Sequence, residues 1–292
     1  MQMKGMEKLR EKLPDYPGER ISLLPLRGIV AALVGYVFLI ALDVIPRVFS
    51  SMEVLVAVEP FIPILGSLFL ATVGFWLIGT LWSRRESMKE KYGKLAYQRV
   101  IRVGVVGVFL VPSLVFHAAT SIRSLPPGPP ANPLTIEWSS SLLPLLGVPP
   151  ELELWLRLIV SGIFLILGVL TVRSAILTFG LDYMTVVYLY FPEESEVVDH
   201  EIYSVLRHPA YFGGTLLTVA ALVFRFSVYS IALSIIAYLV FRLQARREEK
   251  ELVDRFGDSY REYMKRVPAL HVRFRDASKY ARFLMHTPDE SA

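Results

Sequence analysis

The chain has 292 residues, of which 53% are hydrophobic, and its mean hydropathy is +0.46. Such an apolar composition excludes an ordinary soluble domain and predicts a membrane protein. The formal net charge of +4 comes from basic clusters beside apolar segments, and no nucleic-acid-binding motif occurs, so no nucleic-acid partner is expected. The chain has no cysteine and only five scattered histidines, which argues against disulfides and metal sites.

Four apolar segments approach the ~20 residues that cross ~30 Å of hydrocarbon as a helix. They are residues 21–42, 61–82, 103–119 and 154–172. Two shorter apolar segments, 211–224 and 228–241, are separated by only three residues and therefore predict neighbouring antiparallel helices. The expected fold is an all-α, polytopic integral membrane helix bundle of about six transmembrane helices, including a C-terminal helical hairpin.

The segments divide the chain into five parts. They are a cytoplasmic N-terminal tail (1–20), a three-helix membrane region (21–122), an external loop (123–153), a core (154–275) and a C-terminal tail (276–292). The loop is placed by its proline-rich run from Leu125 to Pro133, which is incompatible with a helix. Within the three-helix region we interpret His117, the one titratable side chain of note, as a bundle residue rather than a catalyst.

The distribution of basic residues predicts the orientation in the membrane. Many lysines and arginines lie in residues 84–102 and after the hairpin, whereas the loop 43–60 contains only Arg47 and the loop 120–153 only Arg123. By the positive-inside rule, both termini and the polar end of the hairpin are cytoplasmic.

Polar residues flank the hairpin on both sides. The run Arg207-His208-Pro209-Ala210-Tyr211-Phe212-Gly213 precedes it, and Glu248-Glu249 follow it. Because the ends of an antiparallel hairpin meet on one side, these residues are expected to form one cluster at the edge of the bilayer. A cluster there suits a water-soluble cofactor that acts on a lipid-borne substrate.

The order of these motifs resembles a known family. Glu248-Glu249-x-x-Leu252, Phe256-Gly257-x-x-Tyr260-x-x-Tyr263 and Val267-Pro268 follow the Arg-His-Pro motif. The region from about Thr171 to Arg273 resembles the isoprenylcysteine carboxyl methyltransferase and phospholipid methyltransferase superfamily. It departs from the pattern at Glu201-Ile202-Tyr203, where Gly-Pro-Tyr is common, in its three additional N-terminal helices and in its extension after Val267-Pro268.

The resemblance implies a pocket for S-adenosylmethionine beside a membrane-embedded substrate tunnel. The implied function is S-adenosylmethionine-dependent methyl transfer to a hydrophobic, lipid-linked or isoprenylated acceptor at the cytoplasmic face of the bilayer. The implied cofactor-binding residues are Arg207, His208, Pro209, Tyr211, Gly213, Glu248 and Glu249.

The chemistry of these residues fits such a cofactor. Carboxylates accept hydrogen bonds from an ammonium group or from ribose hydroxyls, which suits Glu248 and Glu249. Arg207 or His208 would hold the cofactor carboxylate. Tyr211 would pack against adenine or ribose, and Gly213 would allow close approach.

No catalytic residue is assigned, because methyl displacement needs in-line geometry more than acid–base chemistry. Arg246, Glu249 and Tyr183 are the candidate catalytic residues. Tyr260 and Tyr263 are interpreted as interfacial aromatic residues. The sequence gives no indication of the oligomeric state.

Two alternatives remain open. One is an NADPH-dependent membrane reductase, since sterol-reductase-like enzymes carry a similar Arg-His-Pro hairpin. The other is a non-catalytic, lipid-binding relative, because a motif is not an activity. In a purely structural interpretation, Arg246 and Arg247 anchor the helix at the membrane surface, and Glu248 and Glu249 pair with them on a solvated face.

Overall fold

The computed structural model describes residues 23–120, 122, 128–180 and 195–286, and regular secondary structure in these residues is entirely helical. The α-helices are α1 (Leu23–Val48), α2 (Glu53–Val58), α3 (Ile62–Ser83), α4 (Arg85–Tyr92), α5 (Ala96–Thr120), α6 (Pro133–Ser139), α7 (Pro150–Phe179), α8 (Pro209–Arg225), α9 (Val228–Phe256), α10 (Asp258–Arg266) and α11 (Ala277–Met285). Short 3₁₀ turns cover Glu59–Phe61, Gly93–Leu95, Leu143–Leu146, Glu201–Ser204 and Phe274–Asp276.

Five helices in the described part of the chain are long and apolar enough to cross a membrane. They are α1, the continuous segment Glu53–Ser83, α5, α7 and α9. The sixth apolar helix, α8, has 17 residues and a length of about 26 Å, somewhat less than the hydrocarbon thickness. The prediction of a polytopic all-α membrane bundle with a C-terminal hairpin is confirmed.

The helices extend further into polar sequence than their apolar segments do. α1 continues to Val48 and therefore includes Asp43 and Arg47, and α9 continues to Phe256. The charged residues near the end of α1 do not stop the helix, because they find partners inside the bundle. Arg47 Nε lies 3.4 Å from Glu59 Oε1, and both side chains are buried.

The hairpin turn consists of the two residues between α8 and α9, Phe226 and Ser227. Phe226 has a left-handed backbone (φ 44°), and its amide closes the end of α8 on the Leu222 carbonyl at 2.6 Å. Ser227 and Ser230 form a capping box: the Ser227 side chain accepts from the Ser230 amide, and the Ser230 hydroxyl accepts from the Ser227 amide. Backbone groups at the end of α8 and at the start of α9 thereby obtain hydrogen-bond partners. The connection is short enough to keep the two helices adjacent.

The N-terminal helices and the hairpin are joined by hydrogen bonds at the end opposite Glu248. The Tyr229 hydroxyl donates to the Pro60 carbonyl at 2.8 Å. Arg225 donates to the carbonyls of Ala119 and Thr120 at 2.7 Å and 3.3 Å. The turn of the hairpin is therefore fixed to the three-helix region.

A buried imidazole–carboxylate pair joins α1 to α5. His117 Nε2 lies 2.7 Å from Asp43 Oδ2, and the two side chains are 0% and 1% exposed. This location agrees with the interpretation of His117 as a bundle residue. A buried polar pair of this kind is tolerated because the hydrogen bond between the two groups offsets part of the cost of their desolvation.

We expect His117→Phe to lower the thermal unfolding midpoint in detergent, because it leaves the Asp43 carboxylate buried without the imidazole. The loss should be about 3 kcal/mol, the usual cost of removing one member of a buried pair. The double variant Asp43→Leu/His117→Phe should be more stable than the single variant. Additive losses in this mutant cycle would contradict the coupling.

Candidate cofactor site

The polar motif before α8 is held by the chain that follows α10. The Arg207 amide donates to the Pro268 carbonyl at 2.9 Å, and the His208 amide donates to the Ala269 carbonyl at 3.2 Å. Pro209 is the first residue of α8, where its fixed φ suits the helix and its missing N–H is no loss. The motif is thus placed next to the segment of α9 that carries the two glutamates.

Arg207 links the start of α8 to the end of α9 and to the chain after α10. Its Nε and Nη2 donate to Glu249 Oε1 at 2.9 Å and 2.6 Å. Its Nη1 donates to the Met264 carbonyl at 2.8 Å and also to the Val267 carbonyl. Most of the donors of the guanidinium are therefore used inside the protein.

The two adjacent glutamates have different surroundings, because successive side chains on a helix point about 100° apart. Glu248 lines a cavity, where its Oε1 accepts from the Tyr211 hydroxyl and from Gln244 Nε2 at 3.2 Å. Glu249 does not line the cavity and bonds Arg207. His208 stands between them, with Nδ1 3.7 Å from Glu248 and Nε2 3.1 Å from Glu249.

The cavity has a volume of about 160 Å³ and combines polar groups with aromatic walls. Its lining is Phe179, Glu196, Val197, Val198, Tyr203, Arg207, His208, Pro209, Ala210, Tyr211, Glu248, Leu252, Tyr260 and Tyr263. The Tyr211 ring stacks with His208 and with Phe241, with centroids 5.8 Å and 6.0 Å apart. A largely enclosed carboxylate, 16% exposed, and several aromatic side chains therefore line the same space.

The interpretation of Tyr260 and Tyr263 as interfacial aromatics is wrong. Both side chains are 3% exposed and form part of the cavity wall, and the Tyr263 hydroxyl donates to the Tyr203 carbonyl at 2.7 Å. Burial raises the pKa of both phenols above the usual tyrosine value, so both stay neutral at physiological pH. Their three-residue spacing on the otherwise charged helix α10 was the available signal, since it puts both rings on one face.

Gly213 lies in a helix contact and does not line the cavity. A Cβ on Gly213 would stand 2.7 Å from Val172 Cγ2 and 2.9 Å from the Gly168 carbonyl oxygen. The absence of a side chain lets the backbones of α7 and α8 approach closely, which is how helices pack in lipid.

The remaining candidates fall outside the cavity or outside the described residues. Arg246 is exposed, and Tyr183 lies outside the residues that the structure describes. Arg247 stacks over Phe75 and Trp82, with centroid distances of 5.3 Å and 5.7 Å. The interpretation of the glutamates as a solvated face paired with Arg246 and Arg247 is wrong, since they bond instead to groups of the motif before and within α8.

The sequence also did not point to Gln244. It is buried, lies one turn before Glu248 and donates to it. Its position four residues earlier on the same helix was the only available signal. In the described part of the chain, no group of three or more histidine, aspartate or glutamate side chains is placed to hold a metal ion.

Comparisons with known proteins match this part of the chain. Residues 156–259 match the family model of the phospholipid methyltransferases. A probable protein-S-isoprenylcysteine O-methyltransferase of Oryza sativa subsp. indica is 28% identical over 120 residues, which are 40% of this chain and 63% of the relative. Protein-S-isoprenylcysteine O-methyltransferase B of Arabidopsis thaliana is 29% identical over 36% of this chain and 54% of its own length. The Homo sapiens protein-S-isoprenylcysteine O-methyltransferase is 28% identical over 41% of this chain and 43% of its own length.

The matched region spans about half the length of these curated relatives. No solved structure gives a significant match. The class of molecule is a polytopic helical membrane protein with a polar cavity at one end of its C-terminal hairpin. The match of residues 156–259 supports the predicted resemblance to the isoprenylcysteine carboxyl methyltransferase and phospholipid methyltransferase superfamily.

We expect Gly213→Ala to reduce thermal stability, by about 1–3 kcal/mol, because the added methyl group forces α7 and α8 apart. Gly162→Ala is the matched control on α7, since nothing lies within 4 Å of a Cβ at that glycine. The control should be neutral or slightly stabilising, because alanine favours a helix over glycine. Equal unfolding midpoints for the two variants would contradict the close contact.

Proposed function

We propose that this protein is an S-adenosylmethionine-dependent methyltransferase whose cofactor lies in the cavity at the polar end of the hairpin. The proposal rests on Glu248, a carboxylate that is 16% exposed, is held by Tyr211 and Gln244 and faces a cavity with aromatic walls. The superfamily match to the same region supports the proposal.

The residues of the cavity fit the groups of this cofactor. Glu248 would accept from the α-ammonium group or from ribose hydroxyls, as a charge-assisted acceptor. The ring of Tyr260 offers a face for adenine, the Tyr211 ring would border the cofactor, and the imidazole of His208 would donate to the cofactor carboxylate. S-adenosylmethionine supplies, when bound, an electrophilic methyl group. The protein then needs to hold the acceptor in line with that group at about 3 Å.

Arg207 and Glu249 have a positioning role in this proposal. Their mutual hydrogen bonds leave little capacity for a ligand, but they fix the backbone of the motif and one nitrogen of His208. Loss of either residue would displace His208 and the start of α8. Arg246 is exposed and remains a candidate for contact with an anionic substrate.

The proposed acceptor is the carboxylate of an isoprenylated cysteine. The relatives' names give this chemistry, and a carboxylate is a competent nucleophile without a general base. A phospholipid amine would have to be deprotonated first. A prenyl chain would enter the site from the bilayer beside the helix bundle.

We place both termini and the cavity on the cytoplasmic side, on the strength of the basic clusters at 84–102 and after the hairpin. A single cysteine at the exposed Ser259 should react with a membrane-impermeant maleimide only after the cells are opened. A cysteine at Glu137, in the opposite end of the bundle, is the matched control and should react in intact cells. The reverse pattern would overturn the orientation.

We expect calorimetric titration of the purified protein to show binding of S-adenosylhomocysteine and no binding of NADPH. Glu248→Gln should weaken the binding by at least about tenfold, because it removes the charge that faces the cavity, while the unfolding midpoint stays close to that of the wild type. Glu249→Gln should instead lower the midpoint, since it breaks the contact with Arg207. Binding of NADPH alone would identify a reductase, and unchanged affinity in Glu248→Gln would refute the site.

Transfer of a labelled methyl group should be detected with a farnesylcysteine analogue that carries a free carboxylate. The product should release volatile methanol in base, as a methyl ester does. The same analogue with an amidated carboxyl group is the control and should accept nothing. Transfer to phosphatidylethanolamine instead of the analogue would refute the carboxylate acceptor and leave the cofactor site intact.

A further inference from the structure

The C-terminal helix α11 and the turn before it lie beyond the region that matches the superfamily, which ends at residue 259. One face of α11 is buried on the core. Leu284 is 3% exposed and packs with Ile202 and Leu206, in the same apolar cluster as the cavity residue Tyr203. The helix is therefore fixed to the back of the cavity wall.

Contacts with α7 and α8 give the depth of α11 relative to the bilayer. The Ser174 hydroxyl donates to the Phe283 carbonyl at 3.1 Å, and the hydroxyls of Thr171 and Tyr280 share a hydrogen bond. The Tyr280 ring also meets Phe212, in the first turn of α8, at 6.1 Å. The helix thus crosses the last turns of α7 at the end where α8 begins.

The length of α7 allows the position of α11 along the membrane normal to be estimated. Its 30 residues span about 45 Å, which exceeds the hydrocarbon thickness by about 15 Å, or about 7 Å at each end when centred. Thr171 and Ser174 are about 12 Å and 8 Å from the end of α7, by the same rise per residue. With α7 centred in this way, α11 would lie at the boundary between hydrocarbon and headgroups.

The outward side of this segment combines large apolar side chains with basic ones. Phe274 is 98% exposed and Met285 is 80% exposed, one at each end of the segment. Between them, Lys279 and Arg282 are exposed, as is Arg275, which lies 3.7 Å from the neighbouring Asp276. Exposed aromatic and aliphatic groups interleaved with basic residues are unfavourable in water and suit an interface with lipid.

We propose that residues 274–285 form an in-plane helix that docks on anionic lipid headgroups of the bilayer face onto which the cavity opens. Phe274 and Met285 enter the boundary between headgroups and acyl chains, and Arg275, Lys279 and Arg282 contact the phosphates. The occupant is lipid rather than a partner protein, because the depth on α7 puts this surface at the level of the headgroups and its charge complements theirs. The docking does not depend on the proposed methyl transfer.

The absence of native cysteine allows a direct test with single labels. An environment-sensitive fluorophore is attached to Phe274→Cys, and the full chain is reconstituted in phosphatidylcholine vesicles with and without phosphatidylglycerol. Lipid carrying a shallow nitroxide should quench this probe, more strongly when phosphatidylglycerol is present, and aqueous iodide should quench it weakly. The same probe at the exposed Ser259 on α10 is the control and should respond chiefly to iodide.

The charges are tested with the triple variant Arg275→Gln/Lys279→Gln/Arg282→Gln in the labelled chain. Each removed charge should weaken docking on phosphatidylglycerol about fivefold, and Arg261→Gln/Lys265→Gln on α10 should leave it unchanged. Unchanged unfolding midpoints would show that the variants fold.

Three results would overturn the proposal. The first is strong quenching of the Phe274 probe by iodide and none by the lipid nitroxide in both vesicles. The second is lipid quenching that depends neither on phosphatidylglycerol nor on the three charges. This result would contradict recognition of anionic headgroups. The third is shielding from both quenchers, which would indicate a contact with protein, such as a second copy of the chain.

Discussion

The ion pair of Arg207 and Glu249 closes the C-terminal hairpin at its polar end. A desolvated pair of this kind is stable only when its remaining donors are also satisfied, and the carbonyls of Met264 and Val267 provide for that. The pair fixes the start of α8 against the end of α9 and ties both to the chain after α10. Because Glu249 points to Arg207, the neighbouring Glu248, about 100° around the helix, faces the cavity.

The opposite end of the hairpin is fixed by the N-terminal helices. Tyr229 and Arg225 donate to carbonyls at the ends of those helices that lie away from the cavity, and the Asp43–His117 pair holds α1 to α5. These groups are polar and lie within a predominantly apolar bundle, where isolated polar groups are costly. The N-terminal helices, which lie outside the matched core, therefore position the hairpin as well as shield it from lipid.

The helix α11 lies outside the residues that match the family model. It packs behind the part of the cavity wall that contains Tyr203. The proposed docking on lipid would therefore connect the wall of the cavity to the membrane surface. In the proposed function, this arrangement places the methyl donor and a bilayer-borne acceptor at the same depth.

The sequence by itself determined the membrane class, the long helices and the hairpin, because hydropathy and segment length are local properties and a three-residue connection leaves one packing arrangement. It also identified most of the polar cluster, since the two motifs flank that hairpin. The tertiary structure alone decided that Glu248 faces the cavity while Glu249 braces Arg207, that Gly213 serves helix packing, and that Tyr260 and Tyr263 are buried. Each of these depends on the rotation of a helix relative to partners far away in the chain, and no local pattern fixes that rotation.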